Sequence, residues 1–280
     1  MKKSLSLFLT LTLFFSCSLC LVNLSAPAAF AESEKLYSES IVPYGGIIDR
    51  EVTDTVYYSR KDESETYVNP AKLPEYIAYD MENACAVTAG GAIIGHYDRL
   101  YEELIPDHTT FEFLGQWVYG SQDEAVDEMH RELYRRMSTT ENGTSVEGYK
   151  SGMNSYVRGK GRNIVITGVY GNSKLTKPAY MNALQSGKLL TVFLDGFALI
   201  SNSSIETHNG YDVICNTLVT GAHVVAAYGY KNIKYYDSNG NLIQQDDYLY
   251  VHSGFSTAGL SMIRLTKYIT VDDAYIIAIS

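Results

Sequence analysis

Two residues far apart in this sequence could together break an amide bond. Cys85 stands in Glu82-Asn83-Ala84-Cys85-Ala86-Val87-Thr88-Ala89, at the head of a run rich in Ala and Gly. His223 stands in Gly221-Ala222-His223-Val224-Val225, roughly 140 residues downstream. A thiol attacks carbonyls as its thiolate, and imidazole is the side chain best matched to take the thiol proton near neutral pH. A cysteine opening a helix also meets unpaired N–H groups and the positive end of the helix dipole. Those groups favour a thiolate and can hold a developing oxyanion. His252, in Tyr250-Val251-His252-Ser253-Gly254-Phe255, is the first candidate to orient the His223 ring. Asp237 is the second, although Asp237-Ser238-Asn239-Gly240 reads as a turn. Asn83 is the nearest amide for the oxyanion, with a competing role as helix N-cap.

The elements around these residues follow from apolar spacing. A helix is predicted from Cys85 to Leu100, with Gly90-Gly91 leaving room for a close neighbour. Further helices are predicted over 122–137, 146–156 and 177–186. Strands are predicted at 52–58, 164–170, 189–194, 219–230, 233–236, 248–252, 262–265 and 274–279. Asn239-Gly240 marks a hairpin. Helices first and antiparallel strands second argue an α+β fold. Residues 32–72 are polar and mixed, and read as a pro-segment, an edge strand or a tether.

The chain opens with Met1-Lys2-Lys3, an apolar run to Leu24 and Ala29-Phe30-Ala31. That is a basic head, an apolar middle and a small-residue exit, so a signal peptide over 1–31 is expected. A membrane anchor is the rival reading, weakened by the Ser, Thr and Cys that interrupt the run. Secretion is therefore expected, with no membrane partner after cleavage. The net charge of −10 argues against nucleic acid and anionic membrane surfaces as partners. Four cysteines become two once Cys17 and Cys20 leave with the signal. For an exported protein, the remaining Cys85 and Cys215 are either one disulfide or a reactive thiol beside a buried bystander. His96, His108, His130 and His208 do not fall at metal-ligand spacings, and no phosphate or dinucleotide loop is present, so no cofactor and no metal are expected.

The Cys85 segment, continued by Tyr97-Asp98-Arg99, resembles the nucleophile helix of bacterial papain-like cysteine peptidases. It is most similar to the group of double-glycine peptidases that process bacteriocin leaders. Gly221-Ala222-His223-Val224-Val225 with Tyr228-Gly229-Tyr230 resembles their histidine strand. Tyr180-Met181-Asn182-Ala183-Leu184 through Leu190 and Tyr250–Phe255 resemble two further segments, so the likeness covers roughly residues 73–265. It implies a papain-like α+β fold, with an N-terminal helical part packed on a C-terminal antiparallel sheet. The catalytic domain would span 73–280, preceded by an extension over 32–72. It implies a secreted peptidase, from a Gram-positive bacterium, acting on a peptide or protein. Cys85 would be the nucleophile, His223 the base, His252 the orienting residue and Asn83 an oxyanion donor. The chain departs from the family in carrying His252 where Asn or Asp is usual, and Tyr79 where papain-like enzymes carry Gln.

Two other functions stay open at this point. One is a non-catalytic extracellular binding module with a Cys85–Cys215 disulfide. The other is an amidase or transamidase, whose first half-reaction is the same. Substrate specificity and oligomeric state are not legible in the sequence.

Overall fold

The structure is a computed structural model. It describes residues 34–41, 47–67, 74–78, 81–114, 116–119, 122–172, 174–201, 204–255 and 261–280. The expected signal peptide and Tyr79 lie outside the described residues.

Three strands come first: β1 (Glu34–Ile41), β2 (Ile47–Tyr57) and β3 (Arg60–Tyr67). Helix α1 (Cys85–Asp98) follows, then a hairpin of β4 (Thr110–Phe113) and β5 (Gln116–Tyr119). Next come α2 (Glu124–Arg136), α3 (Val146–Gly159), β6 (Ile164–Gly168), β7 (Tyr170–Gly171), β8 (Lys174–Leu175) and α4 (Lys177–Gln185). The chain ends in β9 (Leu189–Ser201), β10 (Ile205–His208), β11 (Tyr211–Tyr236), β12 (Leu242–His252), β13 (Ser261–Arg264) and β14 (Val271–Ile279).

The expected papain-like α+β fold, a helical part packed on a C-terminal sheet, is corrected here. Among the described residues strand outweighs helix, the helices number four, and one ten-stranded antiparallel sheet dominates. Its order is β1-β2-β11-β12-β13-β9-β14-β6, with β3 and β10 also paired to β11. Strands from both ends of the chain therefore share the sheet. The segment read as an extension supplies β1, β2 and β3. β3 escapes a pattern reading because Arg60–Tyr67 is almost wholly exposed and has no apolar alternation. Its main chain nonetheless pairs with β11 from Tyr236 to Gly229, and only tertiary structure can supply that partner.

β11 organises the sheet. Its first half pairs with β2 and β9, its second with β3 and β12. β12 pairs with β13, and β13 returns to β9, so these four strands close a circuit. Side chains of β11 alternate between two cores. Val224, Ala226 and Tyr228 pack with α1 residues, whereas Val225 and Ala227 pack with Phe197, Leu249, Val251 and Phe255. The second group belongs to the core that α4 joins through Tyr180, Ala183 and Leu184.

α1 is buried on every side. A helix apolar or small all round is one that others surround, and its glycines show how closely. A methyl at Gly91 would lie 2.4 Å from His130 Nε2, and one at Gly95 would lie 2.5 Å from the Tyr76 ring. α2 and α3 open on side-chain caps: Asp123 accepts the Val126 N–H and Ser145 accepts the Gly148 N–H.

Candidate active site

Cys85 is the first residue of α1, as the sequence predicts. The cap position belongs to Ala84, without a side-chain hydrogen bond. Asn83 stands one residue earlier in a left-handed conformation (φ 52°) and donates from Nδ2 to Glu141 O at 2.6 Å. Its amide thus anchors the approach to α1 on the turn after α2, and it is not the N-cap.

The Cys85 thiol is seated against β11. It takes main-chain N–H groups from Val224, Ala86 and Cys85 itself. Burial nevertheless dominates and pushes the thiol above its ordinary value, with the residue 8% exposed. The helix-end donors alone would lower it, so the expected thiolate at neutral pH gives way to a neutral thiol.

His223 is the residue before Val224, so the thiol's strand donor and the imidazole are neighbours in the chain. A bulge lies just upstream: the β11–β9 register breaks between Val219 and Ala222, around Gly221 (φ 86°) and Gly196 (φ 108°). Bulges re-aim the side chains that follow them. The His223 ring stacks on Phe255 at 4.8 Å and on Phe197 at 5.5 Å, nearly parallel to both. Its Nε2 lies 2.7 Å from Ser253 O. A main-chain carbonyl can only accept, so Nε2 carries the proton and Nδ1 is the proton-accepting nitrogen of the neutral ring.

The loop after β12 ties this ring to α1. Gly254 follows Ser253, and a methyl there would touch Thr88 at 3.5 Å. Thr88 is one turn along from Cys85, and its hydroxyl accepts the Ala78 N–H at 3.1 Å. Alternation along β11 points the Val224 side chain at α1 with Cys85, and turns the His223 ring to the other face, between Phe197 and Phe255. Direct contacts place Cys85 with Val224 and His223 with Ser253.

His252 lies elsewhere in this arrangement. It pairs in register with Ala226, on the face turned toward α1, and acts electrostatically on His130 of α2. Burial holds its ring low, at about 4. The polar group given to His223 at this end of β12 is the Ser253 carbonyl. Asp237 caps the β11–β12 turn, accepting N–H groups from Asn239 at 2.9 Å and Asn241 at 2.8 Å. That turn is at the opposite end of the β11–β12 hairpin from His223.

Cys85 and Cys215 are both thiols. Cys215 pairs in register with Thr53 of β2, while Cys85 sits at Val224. The strand between Cys215 and Val224 spans roughly 25–30 Å at about 3.3 Å per residue. A disulfide needs Cα atoms within about 7 Å, so this fold does not allow the bridge.

His108 and His208 have partners of their own. His108 bonds the Tyr76 hydroxyl at 2.6 Å and Asp123 at 2.9 Å, and His208 stacks on Tyr211 at 4.6 Å. Among the described residues, no three His, Cys, Asp or Glu side chains are grouped to hold a metal, and no helix is long and apolar enough to cross a membrane. Ser253 and Phe255 were visible only as a Gly-aromatic turn after a strand. Phe197 carried no signal, because its role depends on the pairing of β9 with β11.

Compared with known proteins, the chain matches no family model, no curated protein and no solved structure.

Proposed function

We propose that the protein is a cysteine-type peptidase, with Cys85 as nucleophile and His223 as general base. The observation that supports this is adjacency in the chain: the Cys85 thiol takes the N–H of Val224, and the neighbouring His223 is set by Ser253 O in the tautomer with a basic Nδ1, so the reaction requires the His223 ring to turn from its Phe197–Phe255 stack towards Cys85. Burial makes a standing thiolate costly. Proton transfer from Cys85 Sγ to His223 Nδ1 therefore accompanies attack on the carbonyl carbon, as in general-base catalysis by serine enzymes. The imidazolium returns that proton to the leaving amine, and water then hydrolyses the thioester. The N–H groups opening α1 face the oxyanion. A peptide or protein is the substrate, and an acidic exported protein meets such substrates outside the cell.

The thiol's 8% exposure favours one rival, a binding domain whose cysteines are inert. One experiment separates the two. An iodoacetamide-based thiol probe is applied to the wild type, Cys85→Ala and Cys215→Ala, labelled peptides are mapped by mass, and cleavage of a peptide library is followed in parallel. The peptidase reading expects label at Cys85 and cleavage that Cys85→Ala abolishes. Label at Cys215 alone, or cleavage that survives Cys85→Ala, ends it. Adding a primary amine and analysing products separates peptidase from transamidase.

A further inference from the structure

Beneath α1 lies a second buried group with no part in that chemistry. His130, on α2, is fully buried, and neither ring nitrogen has a hydrogen-bond partner. Its ring lies directly on the α1 backbone at Gly91, where a methyl would approach Nε2 to 2.4 Å. His252, on β12, is 9% exposed, and its Nδ1 likewise has no partner. A neutral imidazole always carries one N–H, and a buried donor without an acceptor costs about 1–3 kcal/mol. His130 therefore presses a buried N–H without an acceptor against α1, and His252, unpartnered at Nδ1, acts on it electrostatically.

We propose that His130 and His252 form an acid-sensitive release for α1: a proton taken up by either ring loosens α2 and β12 from the helix that presents Cys85. The packing leaves no room for a charge. The group that meets the His130 ring on α1 is Gly91, and among the described residues no titratable side chain besides His130 acts on His252. After burial, the only titratable group acting on His130 among the described residues is His252, and it repels a second proton. No carboxylate offsets either ring. Burial and that repulsion hold His130 at about 3, and burial holds His252 at about 4.

The sign follows from linkage. In an unfolded chain each ring takes a proton near pH 6.5. The native rings refuse it until about pH 4 and 3. Native stability is therefore undiminished above pH 6.5 and falls as the pH drops from there towards 4. Paired carboxylates lose their charge mostly below that window. Asp98, whose carboxyl burial raises to about 7, works in the opposite direction within it. A comparison of wild type with a variant lacking both rings cancels Asp98.

The experiment measures urea unfolding between pH 7 and 5 for the full chain and for His130→Phe/His252→Phe, which keeps flat rings against α1. Relative to the variant, the wild-type unfolding constant is expected to rise by up to about tenfold per pH unit for each histidine. Hydrogen exchange of peptides from 85–98, corrected for intrinsic rates, should lose protection over the same range in the wild type only. Parallel pH profiles, or exchange from α1 that does not change, overturn the proposal. Should the double variant not fold, histidine NMR of the wild type decides: rings that remain neutral at pH 5 support the release, and a native titration of either ring near 6.5 overturns it.

Discussion

Two buried polar regions of this protein are built on opposite plans. In the sheet, Arg264 is 1% exposed and almost saturated. Its guanidinium meets Asp246 at 2.9 Å and Asp54 at 2.5 Å, and the Asn216 amide oxygen at 3.3 Å. Lys267 and Tyr268 also bond to Asp54, and Thr266 bonds to Asp246. Burial works to raise the Asp54 carboxyl, but Lys267 and Arg264 overcome it and hold it below the usual range. This network joins β2, β11, β12 and β13. At α1 the polar groups are few and poorly matched: a thiol raised by burial, the His130 ring with neither nitrogen partnered, and His252 with an unpartnered Nδ1. A satisfied network specifies architecture, whereas an unsatisfied one marks a place kept for chemistry or for a switch.

The first test breaks the contrast at its strong end. Arg264→Leu leaves Asp246 and Asp54 short of counter-charge inside the sheet, and should cost about 3–5 kcal/mol by urea denaturation. A small loss would show that water reaches the network and that β2 is only loosely attached. Gly91→Ala strikes the other region. Its methyl must displace the His130 ring, at about 1–3 kcal/mol, read as a lower unfolding midpoint. A neutral result would mean that α2 is already free to move. Phe255→Leu keeps the bulk beside His223 but removes the stacked ring, at about 1 kcal/mol. Peptide cleavage should then lose kcat more than KM, and an unchanged kcat would detach that stack from the chemistry.

Two further measurements sharpen the comparison. Because the Cys85 thiol is raised, its alkylation rate should keep climbing as the pH passes 9. A plateau near neutrality would reveal a standing thiolate and contradict the buried seat. Asp237→Ala, at the exposed end of the hairpin, should leave the Cys85 labelling rate unchanged. A fall would tie that turn to Cys85 after all.

Much of the secondary structure was legible. All four helices fall where apolar spacing puts them, and Cys85 opens its helix. Strand lengths were not legible: two predicted segments, 219–230 and 233–236, are parts of the single β11. In its first portion, Tyr211–Leu218, only Val213-Ile214-Cys215 reads as strand-like from the sequence, and pairing with β2 and β10 extends it. The predicted neighbours of the imidazole also shifted. His252 and Ser253 are adjacent in sequence, but strand alternation and the loop at Gly254 send them to different places.

What the sequence determined by itself was local: a cysteine at a helix start, a histidine after a Gly-Ala step, and a helix small enough on all sides to be enclosed. Those features follow from side-chain volume and from hydrogen bonds between near neighbours. Only the tertiary structure decided that the N-terminal strands join the main sheet, that the thiol is raised, and that His130 is buried against α1 with neither ring nitrogen partnered. Burial, and the partner across a strand pair, belong to residues distant in the chain, and no local pattern encodes them.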